Sequence, residues 1–438
     1  EGPIGLEGLE HAEFDGIDQP LTQRVSVVIP VLNGGSELVL LMRKLRAQRG
    51  LGEVEIVIVD SGSTDGSVQA AREQGATVVQ ITPAEFTHSH SRNLGADAAT
   101  GEYLLFMVQD AYPVGDTWLY SMLRWLLAHA GQGVVGASCA EYCRSDSDLM
   151  YDSMVDTHYR FLGCHEADRI GQLRGDDHMS LRSLGQLSDV ACLIDRATFQ
   201  RYRYRGDYAE DLDLGIRLIR DGHRVAMLSS IRVIHSHNRP AWYYLKRSFV
   251  DVIFLVGMFD DFIVPPCASL AGLLDGAVRS AQGLSRWLAE VAERPGEFTW
   301  DSLLPARVVR GVDDAPALGA GDGVVCLGDE RLDRYIAGLA EAAATLAGSA
   351  SRTARSQAAV QFRDAFAARL DHVRQYIVSV YGPPDDLLRQ QAIQVAVKTY
   401  AATLGSILAF AHLQRAQSFS PAEQLWIEGQ AQVLRSGV

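Results

Sequence analysis

The densest chemistry in this chain lies at residues 86–113, FTHSHSRNLGADAATGEYLLFMVQDAYP. His88, His90, Arg92 and Asn93 fall within one predicted helix or turn, and Asp110 closes the strand that follows. An arginine in such a place can make paired charge-assisted hydrogen bonds to a phosphate group. Further on, Glu210, Asp211 and Asp213 open a helix, DLDLGIRLIRDG, with Leu212, Gly215, Ile216 and Ile219 at core spacing. Paired carboxylates there can take a proton from a reacting hydroxyl; the bland alternative is compensation of the helix dipole. His235 and His237 stand at the end of a strand, RVAMLSSIRVIHSH. Two histidines at i and i+2 of a strand face one side and share a site if the strand runs through both; if it ends between them, only one contributes.

Two apolar strands must position these groups. VSVVIPVLN at 25–33 and VEIVIVDSGSTDGS at 54–67 each end in polar, turn-forming residues. The order strand, helix, strand, helix, strand predicts an α/β fold with a parallel sheet, with Asn33, Asp60, Asp65 and Asp110 gathered at the carboxyl ends of the strands. Asp65-Gly66-Ser67 offers caps for the next helix and Gly75 ends it. Thr82-Pro83-Ala84-Glu85 has the capping-box form and should open a helix or turn carrying His88, Arg92 and Asn93. Residues 141–190 are polar without clean periodicity, as loops or short helices over a site would be. Beyond Asp260, residues 262–295 read as helical and 296–330 as a Gly/Asp/Pro-rich connector. Helices follow near 331–348, 352–380, 384–413 and 420–436, the last opened by a capping box at Ser420-Pro421-Ala422-Glu423. The expected organisation is a leader at 1–23, an α/β domain at 24–260, a helical and connector segment at 261–330, and a mostly α-helical C-terminal domain at 331–438.

With 438 residues and 47% hydrophobic content, the chain can bury a substantial core. A net charge of −14 argues against nucleic acid as a partner and gives no general attraction to anionic lipid. Cys139, Cys143, Cys164, Cys192, Cys267 and Cys326 show no paired CxxC spacing, so buried free thiols are expected rather than a zinc site. The apolar run from Phe249 to Leu274 is broken by Asp251, Asp260, Asp261 and Pro265-Pro266, too interrupted for a membrane span. The acidic opening EGPIGLEGLEHAEFDGIDQP lacks the apolar core of a secretory signal, and the missing initiator Met suggests a trimmed start.

The string F-x-H-x-x-x-R-N-x-G-A (Phe86, His88, Arg92, Asn93, Gly95, Ala96), followed by Q-D-A-x-P from Gln109 to Pro113, resembles the family 2 glycosyltransferases of the GT-A fold, most closely the rhamnosyltransferase-type members. The resemblance covers roughly residues 24–255. It implies a Rossmann-like mixed sheet flanked by helices, and an inverting enzyme. Its expected reaction moves a sugar, L-rhamnose first, from a dTDP- or UDP-sugar to a glycan or lipid-linked saccharide of a bacterial envelope polysaccharide such as O-antigen. The implied setting is cytoplasmic, or peripheral at the inner face of the cytoplasmic membrane.

The resemblance also implies roles. Pro30, Asn33, Asp60, Ser61 and Asp65 would hold the nucleoside end of the donor, with a carboxylate suited to the imide N–H of uracil or thymine. Where metal-dependent relatives carry Asp-x-Asp, this chain reads Val108-Gln109-Asp110, so one carboxylate is missing. Asp110, with His235 first and His237 second, would hold Mg²⁺ or Mn²⁺. Gln109, His88, Arg92 and Asn93 would meet the donor, Arg92 adding charge compensation for the diphosphate. From the residues alone, Trp242 could stack on a sugar face, with aromatic core packing as the safer default. Asp211 is the expected base, Glu210 is expected to orient it or contact the acceptor, and Asp213 to face the helix surface. Rival readings are a GT-A transferase for another UDP- or GDP-sugar, or a non-catalytic nucleotide-sugar-binding scaffold. A nucleotidyltransferase ranks low, because VLNGGSEL lacks an Arg/Lys-bearing glycine-rich loop.

Overall fold

The computed structural model describes residues 17, 19–309 and 325–436, with the side chains of 415–418 excepted. Most of the leader expected at 1–23 and the middle of the connector expected at 296–330 lie outside the described residues. The chain divides into two compact units: one runs through Ser147 and resumes at Met154–His237, and the other comprises Asp148–Ser153 and Asn238–Val438.

The first unit is built on nine strands: β1 Val25–Val31, β2 Glu55–Asp60, β3 Thr77–Gln80, β4 Tyr103–Met107, β5 Tyr112–Pro113, β6 Val134–Tyr142, β7 Arg169–Gly171, β8 Ala191–Asp195 and β9 Arg224–Ile234. Their order is β3-β2-β1-β4-β8-β6-β9-β5, with β7 also on β9. β1 to β4 run parallel, β8 is antiparallel to both β4 and β6, and β6 is parallel to β9. This is a mixed sheet in which β1, β2, β4, β6 and β9 all point their carboxyl ends to one edge.

β1 and β2 are apolar on both faces because helices cover both. On one face Val25, Val27, Ile29 and Val31 join Leu38, Leu41, Met42 and Leu45 of helix Gly35–Arg46 and Trp118, Met122 and Leu126 of helix Trp118–His129. On the other, helix His88–Ala98 lies so close that a Cβ on Gly95 would sit 2.3 Å from Val28 Cγ1. The glycine of the R-N-x-G-A string is therefore a packing requirement, which brings Arg92 and Asn93 down onto the sheet. The helix is capped by Thr87, which accepts from the His90 N–H at 3.0 Å. The Thr82–Glu85 capping box closes only a turn: Glu85 accepts from both the Thr82 N–H and its hydroxyl at 2.8 Å.

Within 141–190 the structure holds a 14-residue helix, Leu149–Leu162, where no clean periodicity was legible. Its buried apolar residues fall into two groups, Leu149 and Met150 at its start and Tyr159 and Leu162 near its end, which join separate clusters, so no single apolar stripe runs its length. Cys139, Cys164, Cys192 and Cys267 are buried free thiols as expected, but Cys143 is half-buried and Cys326 exposed.

The second unit is helical: Ala241–Met258, Leu270–Glu293, Glu330–Thr345, Arg352–Val380, Asp386–Ser418 and Pro421–Arg435, with one short turn of helix at Pro305–Val308. Ser420 and Glu423 form the expected reciprocal cap. Helix Ala241–Met258, which the sequence groups with the α/β part, packs here against Asp386–Ser418. The two helices cross tightly at Gly405, where a Cβ would lie 2.0 Å from the Leu245 carbonyl oxygen. Asp148 and Lys398 form a buried ion pair at 2.8 Å, and the Tyr381 hydroxyl donates to Asp152 at 2.7 Å. Among the described residues one segment, Asp386–Gln414, is long and apolar enough to cross a membrane, and 78% of its apolar window is buried within the fold.

Candidate active site

At the carboxyl edge of the sheet, β1 and β2 end in a hydrogen-bonded platform. Ser61 donates its N–H (3.0 Å) and its hydroxyl (3.1 Å) to the Val31 carbonyl, tying the two strand ends together. The buried Asp60 carboxylate accepts from the N–H groups of Gly62 and Ser63 at 3.2 Å. Asn33 has φ 51°, accepts from the Thr64 N–H through Oδ1 (2.9 Å), and donates its own N–H to Ser63 (2.8 Å). Pro30 lies half-buried opposite Val59. Asp65 is exposed and accepts from the Ser67 hydroxyl (2.6 Å) and N–H (3.0 Å), and the hydroxyl bond first of all holds its pKa below the usual carboxylate value. Its visible work is to shape the turn into helix Ser67–Glu73.

β4 delivers the next group. Gln109 pairs its side-chain amide with the Leu32 backbone, accepting at 3.0 Å and donating at 3.3 Å, so it braces the end of β1. Asp110 then lies with Oδ1 3.7 Å from His235 Nε2 and Oδ2 3.6 Å from His237 Nδ1. The ligand atoms of all three lie within 4.8 Å of one another. β9 ends at Ile234, before both histidines, yet both rings reach Asp110, 4.6 Å apart and nearly perpendicular. The buried His235 is fixed through Nδ1 by Glu141 at 2.7 Å, and Glu141 also accepts from the Tyr159 hydroxyl at 3.1 Å. Burial alone would lower the His235 pKa; the hydrogen bond and charge of Glu141, with Asp110 behind it, raise it instead.

This donor set fits a divalent cation. Neighbouring ligands of an octahedral ion stand about 3 Å apart, which a small closure of these side chains meets. Glu141, on Nδ1 of His235, is the outer partner that would leave Nε2 free to ligate such an ion. The imidazoles favour a transition-row cation such as Mn²⁺ over Mg²⁺.

The third group surrounds Arg92, which is 2% exposed. Its guanidinium bonds the Asp189 carboxylate and, at 3.0 Å, Glu210; it also donates to the His88 carbonyl at 3.3 Å and lies 3.3 Å from His88 Nδ1. Here the structure departs from the expected diphosphate contact: burial commits the guanidinium to carboxylates. Asp211, half-buried beside them, accepts from the Leu212 N–H at 2.7 Å and from the Asp189 backbone. Three carboxylates against one guanidinium leave two negative charges if all ionise, so one proton is readily retained. Burial first, and then the charge of Asp189, push the pKa of both Glu210 and Asp211 upward; Arg92 opposes this. Asp213 pairs with Arg217 along the helix at 2.8 Å, as expected of a surface position.

Asn93 holds this corner together. Its amide donates to the Tyr204 carbonyl (3.0 Å) and accepts from the Tyr204 N–H (3.2 Å), like one rung of a strand ladder. Phe106, Phe199 and Tyr204 pack their rings 4.6 to 5.2 Å apart beneath it. Arg203 and Ala209, with φ 52° and 48°, bend the chain into helix Glu210–Arg220. With Asn33 they are the non-glycine residues of positive φ among the described residues, and all three adjoin the site. His88 and His90 are both exposed on the first turn of their helix. Trp242 belongs to the helical unit, its ring edge-on to Tyr335 at 5.3 Å.

Register joins the second and third groups. β4 and β8 pair Met107 with Ala191, and the Val108 N–H reaches the Val190 carbonyl at 3.4 Å, so Gln109 and Asp189 follow on adjacent chains. Asp189, Glu141 and Tyr159 were not singled out by the sequence. The available signal was an acid at the mouth of a buried strand: Asp189 just before VACLID and Glu141 at the end of VVGASCAEY.

Residues 26–177 match the family model for glycosyl transferase family 2. The matched stretch is a family 2 glycosyltransferase domain. Among curated relatives of this glycosyltransferase domain, the uncharacterized glycosyltransferase YibD of Escherichia coli is 30% identical over 148 residues, 32% of this chain and 41% of that protein. The chain thus spans less than half of that relative's length. The O-antigen chain rhamnosyltransferase RfbN of Salmonella typhimurium is 21% identical over 242 residues, 54% of this chain and 72% of its own. Among solved structures, the mannosyltransferase PcManGT of Pyrobaculum calidifontis, in complex with GDP-Man and Mn²⁺, aligns over 89% of this chain and 90% of its own at 15% identity, with a TM-score of 0.43.

Proposed function

We propose that this protein is an inverting glycosyltransferase that moves a sugar from a nucleotide-diphosphate donor to a saccharide or lipid-linked saccharide acceptor of the bacterial envelope, L-rhamnose from its dTDP form being the first candidate. The observation that carries the reading is the meeting, at one sheet edge, of a cation-binding triad and a buried carboxylate cluster held by Arg92.

The work divides among this chain's residues. The platform of Asn33, Asp60 and Ser61 receives the nucleoside, with Asp60 presenting a fixed acceptor to the base edge. Asp110, His235 and His237 would hold Mn²⁺ or Mg²⁺, which supplies positive charge to the departing diphosphate. Asp211 takes the proton of the acceptor hydroxyl as its oxygen bonds the anomeric carbon; the bond to the diphosphate oxygen breaks on the opposite face, and its electron pair leaves with the nucleotide. Asp211 must enter ionised, and Arg92 helps it do so in surroundings that otherwise favour the acid form. Glu210 and Asp189 keep the guanidinium beside it. The rhamnosyl choice draws support from the Q-D-A-x-P string and from the O-antigen rhamnosyltransferases among the relatives. The setting proposed with this reading is the cytoplasm, with the lipid-linked acceptor met at the inner face of the membrane.

The test is turnover of a panel of dTDP-, UDP- and GDP-sugars with Mn²⁺, read as nucleotide release with and without envelope saccharide. Release from dTDP-L-rhamnose above the other donors supports the reading. Preference for a UDP- or GDP-sugar replaces the donor and keeps the class. Tight nucleotide binding with no turnover of any donor, even with acceptor present, would favour a scaffold.

A further inference from the structure

The helical unit contains an open groove of about 540 Å³ between helices Ala241–Met258, Glu330–Thr345 and Pro421–Arg435. We propose that it is a second saccharide site, taking a pyranose chain that bears oxyanion groups. The choice of a saccharide rests on the glycosyl-transfer reading above; the groove itself stands on separate residues.

Three aromatic rings line it: Trp242, Tyr335 and Trp426, two of the chain's six tryptophans among them. Trp242 and Tyr335 meet at 66°, so their faces line different walls. Partly buried aromatic rings with polar groups beside them suit a ligand with apolar C–H faces and hydroxyl edges, which is the character of a pyranose. Arg331 and Arg334 stand on one wall and the Gln430 amide on another. Arg334 is 73% exposed and reaches Glu330 at 2.6 Å along its own helix. Burial first, and then the nearby charge of Arg331, lower the Lys246 pKa. Asp329, which accepts from the Trp242 and Arg331 N–H groups, and Glu330 offset part of this charge, yet in a chain of net charge −14 two arginines with a lysine nearby are a local concentration of cations suited to an anion. Guanidinium groups recognise carboxylate and phosphate alike through paired hydrogen bonds. The same rings also pack on the helical core, so a purely structural role is the alternative to defeat.

The experiment titrates the full chain, followed by tryptophan fluorescence, with hexagalacturonate, a phosphodiester-linked mannose oligomer, neutral maltohexaose and inorganic phosphate. The expected result is saturable binding of at least one charged glycan, tighter than maltohexaose and phosphate; which glycan wins separates carboxylate from phosphodiester. Arg334→Ala and Trp426→Ala should each weaken it roughly tenfold. If Trp426→Ala fails to fold, Arg331→Ala with Arg334→Ala decides, since both side chains are exposed. Absence of saturable binding by either charged glycan overturns the proposal, as does binding that both arginine variants leave unchanged. Donor turnover, measured in the same samples, should be unaltered by Arg334→Ala. Its absence in the unmodified protein would overturn the glycosyl-transfer reading while leaving any glycan binding standing.

Discussion

Replacing Arg92 by methionine removes the guanidinium that pairs with both Asp189 and Glu210 while keeping most of the side-chain volume. Breaking a buried ion pair from one side typically costs about 3–5 kcal/mol, because the remaining charge is left in a poor medium. Here the carboxylates have an escape: they can take up a proton. Glu210 and Asp211 already have pKa values raised by burial and by Asp189, and loss of Arg92 raises them further. A group whose folded pKa lies above its unfolded value stabilises the fold below the unfolded value. That stability is lost as pH rises through the folded one. The variant should therefore be less impaired in mild acid and progressively more so above neutrality. The added loss approaches about 1.4 kcal/mol per pH unit for each proton retained. Urea unfolding of both proteins at pH 6, 7 and 8, with donor turnover at each pH, measures this. The acid limb of the variant's activity should move to higher pH, since Asp211 is harder to ionise without its neighbour. A loss that is constant across this range, or below about 1 kcal/mol throughout, would refute the account of Arg92 as the charge partner of the base cluster.

Three other outcomes follow from the same geometry. Glu141→Gln removes the anion behind His235 and should weaken Mn²⁺ binding about 10- to 100-fold, read by Mn²⁺ titration of nucleotide-dependent thermal shifts, with global stability little changed. Asn93→Ala deletes both hydrogen bonds to the Tyr204 backbone and should cost about 1–3 kcal/mol in urea unfolding while lowering turnover through the displaced 204–211 segment. Gly405→Ala forces a methyl onto the Leu245 carbonyl and should cost at least about 1–3 kcal/mol, lowering the melting temperature of the helical unit.

Much of this architecture is legible in the sequence because it rests on local patterns. VSVVIPV and EIVIVD announce strands buried on both faces, and Ser420 with Glu423 announces a capped helix; both are short-range signals. The acids at Asp60, Asp110 and Asp211 are also visible, since each marks the end of a strand or the start of a helix. The identity of their partners is not. Arg92 reads as an anion-binding arginine, and only the fold shows that the anions are Asp189 and Glu210, the latter 118 positions away. Glu141 looks like one more strand-end acid until β6 and β9 pair in parallel and set it against His235. Helix Leu149–Leu162 escapes because its buried residues serve two separate clusters, Leu149 and Met150 in one and Tyr159 and Leu162 in the other, so no single stripe repeats along it, and Asp152 among its charges has a distant partner, Tyr381.

The proposed role of Asp211, removing the acceptor proton at a site whose donor half is independent of it, is decided by comparing Asp211→Asn with the unmodified protein in transfer from the preferred nucleotide sugar, while nucleotide affinity is followed with Mn²⁺ present. Transfer should fall by at least about 100-fold, with nucleotide binding unchanged. Transfer that survives the substitution within a few-fold would contradict it.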